Sequence, residues 1–448
     1  MTKHVLIGRM GDGDTEAVAT RAGEVASVLQ LVSGDRLDHG IGRALDHMKV
    51  MKLAPSEIGG DLLVLAAHVH AADTRISRNT ESEDAWTREM RLVVPVSEPQ
   101  RWNGAATTLK RMLDFLTGDR WTLEFRARPV KFATIVPPRT DLIGPPFDGV
   151  NLFSGGLDSL IGAIDTLKAG KTPLLVSHAG EGLVSKSQDI CFDGLKKAFP
   201  GNLVDRLRVW MSFDSGLIDG VASEETTRGR SFLFFALGIA AGTGLGRKFT
   251  LTVPENGLIA LNVPLDPLRL GALSTRTTHP FYIARWRELV GALGIDGEIT
   301  NPYWDKTKGE MVKGCLDRPL LKRLVPLSLS CSSPTKGRWK KQPQGHCGYC
   351  LPCLIRRASL LGEDATPYGI ADLKARPLDT KQAEGQQVRS FQFAIARLKA
   401  RPDLAKLLIH KQGPLSDDVS QLPALAGVYG RGLAEVGRLL DGVRTEPS

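Results

Sequence analysis

Aromatic side chains are scarce: Phe, Trp and Tyr make up only 6% of the 448 residues. So thin a supply argues against a stacking platform for unpaired bases. Long apolar runs are lacking too. None reaches the ~20 residues that a membrane-crossing helix needs, and the start Met1-Thr2-Lys3-His4-Val5 carries no apolar leader segment. Cysteine is limited to six residues. Four of them fall in a metal-binding pattern, which points to a reducing cytoplasm rather than a disulfide scaffold. Acidic residues are outnumbered, leaving a formal charge of +9. The basic residues are widely spread, with one cluster at Lys336, Arg338, Lys340 and Lys341. ATP, pyrophosphate or an acidic partner accounts for that charge as well as RNA does, and RNA as main substrate is the lesser reading.

What is present centres on Asn151-Leu152-Phe153-Ser154-Gly155-Gly156-Leu157-Asp158-Ser159. A strand-like run ends in Ser-Gly-Gly-x-Asp-Ser, and helical spacing follows through Leu160, Ile161, Ile164 and Leu167 to a stop at Gly170. Strand, glycine turn and helix start make an anion site, because free N–H groups and the positive end of the helix dipole meet there. Glycine lets the backbone come close to a phosphate. No Gly-Lys-Ser/Thr follows this turn, so it is not a Walker A loop. It resembles the PP-loop of ATP pyrophosphatases. By that resemblance Ser154, Gly155, Gly156 and Ser159 hold pyrophosphate, and Asp158 orders the loop or binds Mg²⁺. Arg228, Arg230 and Lys308 are candidates to neutralise phosphate charge; a surface ion pair is the competing role, most of all for Arg230.

The second feature is Cys331 followed by Cys347-Gly348-Tyr349-Cys350-Leu351-Pro352-Cys353. Four thiolates at these spacings can close a tetrahedral zinc site. An iron–sulfur cluster is the rival, but the bacterial ferredoxin run wants a fourth cysteine and a proline soon after the third, and Leu354-Ile355-Arg356 stands there. Cys191 and Cys315 stand alone; a catalytic role in thiolation has no support beyond their presence.

PP-loop and cysteines together are similar to the 7-cyano-7-deazaguanine synthase (QueC) family. Arg228-Gly229-Arg230-Ser231-Phe232-Leu233 looks like the family's Arg-Asn-x-x-Phe-Leu, with Gly229 in place of Asn. Lys308-Gly309-Glu310-Met311-Val312 looks like its Lys-Ala-Glu-Ile-Val. The likeness runs from about Gly149 to Leu361. It departs at His178-Ala179-Gly180-Glu181-Gly182 and at Ser274-Thr275-Arg276-Thr277-Thr278-His279-Pro280, the stretches where the family recognises its standard substrate. The likeness is greatest to the N- and C-terminally extended QueC-like proteins of bacterial anti-phage defence operons, those of the Qat system among them. The resemblance implies ATP, Mg²⁺ and Zn²⁺ as cofactors, and a ligase that forms AMP and pyrophosphate. Its acid would be a 7-deazaguanine carboxylate and its acceptor an amine of a protein from the same operon. Nitrile synthesis with ammonia and tRNA modification are the alternatives.

The expected fold is α/β: a doubly wound parallel sheet of the PP-loop ATP pyrophosphatase (HUP) type with a zinc knuckle. Residues 1–145 form an added α/β region that offers a partner surface, 146–362 the ATP domain, and 363–448 a helical region. Within the first region Val5-Leu6-Ile7, Asp61–His68, Met90–Val96 and Trp121–Phe125 read as strands, and Glu16–Val32 and Trp102–Leu116 as helices. Gly11 and Gly13 read as a surface turn, and His68 and His70 as structural. Pro137 to Pro146 reads as a turn-rich linker, and Val428–Leu440 as a helix.

Overall fold

The computed structural model describes residues 2–139, 144–180, 182–203, 205–224, 228–266, 276–335, 344–415 and 417–447. The basic residues of 336–341, Glu181 and the pair Ser274–Thr275 lie outside them.

Two parallel sheets organise the chain. The first has four strands in the order Glu24–Gln30, Lys3–Arg9, Glu89–Val96, Arg120–Ala127. The second has five, in the order Arg206–Val209, Pro173–His178, Gly149–Leu152, Phe249–Thr252, Gly297–Thr300. Numbered along the chain, the second order is 3-2-1-4-5. The direction of winding therefore reverses between Gly149–Leu152 and Phe249–Thr252, and a crevice opens at their carboxyl ends. Helices cover both faces of this sheet. Leu157–Lys168 and Gly182–Ala198 contribute to the core on one face, Arg230–Thr243 and Pro280–Ala292 to that on the other. The expected α/β class with a parallel, doubly wound sheet is met.

The two sheets share a single core. It runs without a break from Leu6 in the first sheet to Ile299 in the second. Helix Glu57–Arg75 packs on Arg230–Thr243, and Pro99–Thr117 on Pro280–Ala292. An aromatic stack of Phe232, Trp286 and Phe235, with ring centres 5.0 and 5.3 Å apart, fills the sheet-side helices. The N-terminal region is thus fused to the five-stranded sheet through buried apolar surface, not merely tethered by the proline-rich segment.

Two expectations are overturned here. Asp61–His68 is not a strand but the middle of the helix Glu57–Arg75. Every residue from Ile58 to Thr74 is buried, so the helix shows no polar face. A short, continuous apolar run does not distinguish a buried strand from a buried helix. Ser56 starts the helix by accepting the N–H of Gly59 at 3.1 Å. Glu16–Val32 is not a helix either. Gly23 takes φ +76°, and Glu24–Gln30 continues as an edge strand with Val25 and Val28 turned outward. The Gly11 turn is closed by its own groups: Asp14 accepts the Met10 N–H at 2.9 Å and pairs with Arg126.

A buried ionic cluster locks the N-terminal region to the loop before helix Arg230–Thr243. Arg88 reaches Asp119 at 2.7 Å and Asp73 at 3.1 Å, and Arg78 reaches Asp119 at 2.6 Å. Asp73 also accepts the Gly229 N–H at 2.7 Å. Removing Asp119 leaves two buried guanidinium groups to share Asp73, with Glu224 3.5 Å from Arg78. Asp119→Ala is expected to destabilise the chain by about 3–5 kcal/mol in urea unfolding; a change within ~0.5 kcal/mol would show the cluster to be energetically idle.

The C-terminal region forms a second core. Ala383–Ala400 and Leu422–Leu439 pack with Leu351–Ser359 and with the short helix Gly257–Leu261 on the rim of the large sheet. No described helix is long and apolar enough to cross a membrane.

Candidate functional site

The glycine turn lies at the carboxyl end of the first strand of the large sheet, at the reversal point. Gly155 has φ +79°. A Cβ on it would sit 3.1 Å from the Gln188 backbone nitrogen, so both conformation and space call for glycine. Gly156 is the N-cap of helix Leu157–Lys168 and supplies no side-chain cap. Of the first-turn N–H groups of that helix, the one on Leu157 is met by the Ser330 hydroxyl at 3.1 Å, which leaves those of Asp158 and Ser159 for an incoming anion. Ser154 and Ser159 face one another across the turn, with their hydroxyl oxygens 3.1 Å apart. The Ser159 hydroxyl accepts the Ser154 N–H at 3.2 Å. These four positions converge on one cradle.

Asp158 faces two partners. One carboxylate oxygen lies 2.9 Å from the Lys308 ammonium. The other accepts the Asn256 side-chain N–H at 2.7 Å. Asp158 therefore links the start of the loop helix to Asn256 and Lys308. Lys308 is 3% exposed and opens helix Lys308–Gly314 behind a capping box of Thr307 and Glu310. Glu435, from helix Leu422–Leu439, accepts hydrogen bonds from the Thr307 hydroxyl and the Gly309 N–H. Arg431 of the same helix pairs with Glu310 at 2.6 Å. The C-terminal region thus holds the lysine that holds the loop.

Glu255 stands beside this pair, just past the fourth strand of the sheet. Asn301 fixes its backbone, accepting its N–H at 3.3 Å and donating to its carbonyl at 2.8 Å. Thr278 donates to its carboxylate at 2.9 Å. Burial, then the negative charge of Asp158, push its pKa up to about 7, while Lys308 and Thr278 pull it back.

The arginines divide. Arg230 lies against Gly180, where an added Cβ would come within 2.8 Å of its guanidinium. It is therefore on the rim beside the second strand. Arg228 instead donates to the Thr117 carbonyl at 3.0 Å and covers the Trp86 ring at 4.5 Å. Both contacts belong to the N-terminal region, and burial lowers its pKa to about 10. The sequence favoured Arg228 over Arg230 as a phosphate ligand; of the two, Arg230 is the one beside the large sheet. His178 and His70 meet edge to face at 5.8 Å. Burial depresses both, to about 3 and about 4, so both rings are neutral near pH 7. His279 caps helix Pro280–Ala292 by accepting the Phe281 N–H, which makes it a turn-shaping residue.

The four cysteines converge. Their sulfurs lie within 4.8 Å of one another, with Cys331 to Cys350 at 3.8 Å and Cys347 to Cys353 at 3.9 Å. A tetrahedron with metal–sulfur bonds of ~2.3 Å has edges of about 3.8 Å, so the cage fits zinc. The segment leading into Cys331 braces the glycine turn. The Leu329 N–H donates to the Gly155 carbonyl at 2.9 Å, and the Ser330 hydroxyl accepts the Leu157 N–H at 3.1 Å. The buried Arg356, three residues after Cys353, donates to Ser328 and Ser330. Cys191 and Cys315 are buried, with pKa values pushed up to about 11 and about 12 by burial. As protonated thiols they are poor nucleophiles.

The sequence did not single out Gln188, Ser330 or Glu435. Thr307-x-x-Glu310 carried a legible capping signal; Glu435 carried none, since its role depends on where a distant helix lands. No protein-family model matches the chain, and no curated protein matches it in sequence.

Proposed function

We propose that this chain is a QueC-like PP-loop ATP pyrophosphatase with a HUP-type ATP domain. It adenylates a 7-deazaguanine carboxylate and transfers the acyl group to an amine. The acceptor in this reading belongs to a partner protein, in bacterial anti-phage defence in the cytoplasm. The observation that carries it is the Ser-Gly-Gly-x-Asp-Ser turn at the reversal point of a 3-2-1-4-5 parallel sheet, with Asp158 locked by Lys308.

In this reading MgATP enters the crevice. Ser154, Gly155, Gly156 and Ser159 hold the β- and γ-phosphates, with Mg²⁺ as counter-ion of the nucleotide. The substrate carboxylate attacks the α-phosphorus and pyrophosphate departs into the cradle. Lys308 and Arg230 spread the growing negative charge. Zinc does no chemistry; it fixes the brace at Leu329 and Ser330. Support for a macromolecular acceptor comes from the two added regions, which reach the same rim. Arg276 there joins Phe115 of the N-terminal region to Gln412 of the C-terminal one. Small-molecule synthesis with ammonia has no need of such walls.

Incubation with ATP and 7-carboxy-7-deazaguanine is expected to release AMP and pyrophosphate in equal amounts. ADP and phosphate as products would overturn the reading.

A further inference from the structure

We propose that Glu255 is the base that receives the proton shed by the acceptor amine when the acyl-adenylate is converted to an amide. The inference rests on the AMP-forming reading above and assigns its second half-reaction, for which no residue has so far been named.

Three features single this carboxylate out. It follows the end of strand Phe249–Thr252, whose hydrogen-bonded neighbour Gly149–Leu152 leads into the glycine turn, so both lie at the carboxyl ends of adjacent strands. Its backbone is held on both sides by Asn301 and one of its oxygens by Thr278, so the group is preorganised. And it has no cation of its own among the described residues. Lys308 is already paired with Asp158, and the adjacent Asn256 is spent on Asp158 as well. A carboxylate kept for structure would be saturated with donors or matched with a cation. Glu255 has one hydroxyl donor and a share in a neighbour's lysine.

The charged groups around it are Asp158 from the loop helix and Lys308 from the following domain segment. On the turn that carries Thr278, Arg276 is directed to the Phe115 carbonyl and His279 to its own helix. Burial and Asp158 leave the carboxyl titrating near 7, the range in which a general base is most effective. In the step itself the amine nitrogen attacks the acyl carbon and a C–N bond forms. The C–O bond to AMP breaks, and its electron pair leaves on the phosphate. The proton released by nitrogen passes to Glu255 and from there to water.

The test separates the two half-reactions in the full-length protein, with 7-carboxy-7-deazaguanine as acid and glycinamide as amine. Exchange of labelled pyrophosphate into ATP reports adenylation; amide formation reports transfer. For Glu255→Gln the ratio of transfer to exchange is expected to fall about 10²-fold, and the rise of transfer rate with pH through about 7 is expected to vanish. Hydroxylamine, which needs no base to attack, should restore acyl capture in the variant. An equal fall in exchange and transfer, or a pH limb that persists, overturns the assignment and makes Glu255 a positioning group for Asp158 and Lys308. A higher KM for the deazaguanine with an intact pH limb overturns it in favour of base-edge recognition. Absence of exchange in the unsubstituted protein is the separate failure of the AMP-forming reading.

Discussion

Cys353→Ser is expected to reduce bound zinc from one per chain to near zero and to abolish the proposed ATP turnover, although no cysteine lies in the glycine turn. The sulfur spacings of 3.8 and 3.9 Å already match the edges of a zinc tetrahedron. Little reorganisation is needed on binding, and metal affinity becomes stability of the knuckle. Removing one sulfur releases that stability locally. The damage then travels through four hydrogen bonds. Cys331 follows directly on Leu329 and Ser330, which hold the Gly155 carbonyl and the Leu157 N–H. Arg356, three residues beyond Cys353, ties Ser328 and Ser330 together. When the knuckle loosens, the turn loses its outer wall. Metal analysis, thermal unfolding and AMP release measure the three consequences. A zinc-free variant with full turnover would break the link between knuckle and cradle. Iron with acid-labile sulfide and a brown colour would replace zinc by a cluster and favour the tRNA-modification alternative.

The sequence carried the site further than it carried the fold around it. Ser154 to Ser159 were legible because the turn is local: strand, glycines and helix start are contiguous, and each residue type has a backbone reason to be there. The cysteines were legible because their ligand chemistry is set by spacing. Asp61–His68 failed because burial on every side erases periodicity, the signal on which strand and helix are told apart. Glu16–Val32 failed because an outward-facing edge strand scatters its apolar residues, with Val25 and Val28 in solvent. Arg228 sits differently from what its motif suggested. Its neighbour Arg230 does lie beside Gly180, past the second strand of the larger sheet, but Gly229 donates to Asp73 and the Arg228 side chain is drawn off by Trp86 and Thr117, all of the N-terminal region. A motif within one domain does not announce a contact supplied by another. Glu435 makes the same point from the other end of the chain.

A large loss of chemistry at the site itself is expected from Asp158→Asn, with kcat for AMP formation down about 10²–10³-fold, the range seen when one preorganised electrostatic contact is removed from a reaction centre. The change is nearly isosteric, so the Asn256 contact at 2.7 Å can be kept by the new amide oxygen. What is lost is the charge opposite Lys308, a residue 3% exposed with its ammonium 2.9 Å away. That lysine is then a buried cation without its partner. It can turn toward the next available carboxylate, Glu255, and leave the glycine turn unneutralised. The double variant Asp158→Asn/Lys308→Met distinguishes this from simple unfolding. If the pair acts as a unit, the double variant is more stable than Asp158→Asn alone, because no unpaired charge remains, yet is no more active. Circular dichroism and urea unfolding give the stability, and AMP release gives the rate. Full turnover in Asp158→Asn would remove Asp158 from the mechanism. Recovery of turnover in the double variant would show that the ion pair serves the fold alone and that the phosphates are neutralised elsewhere on the rim.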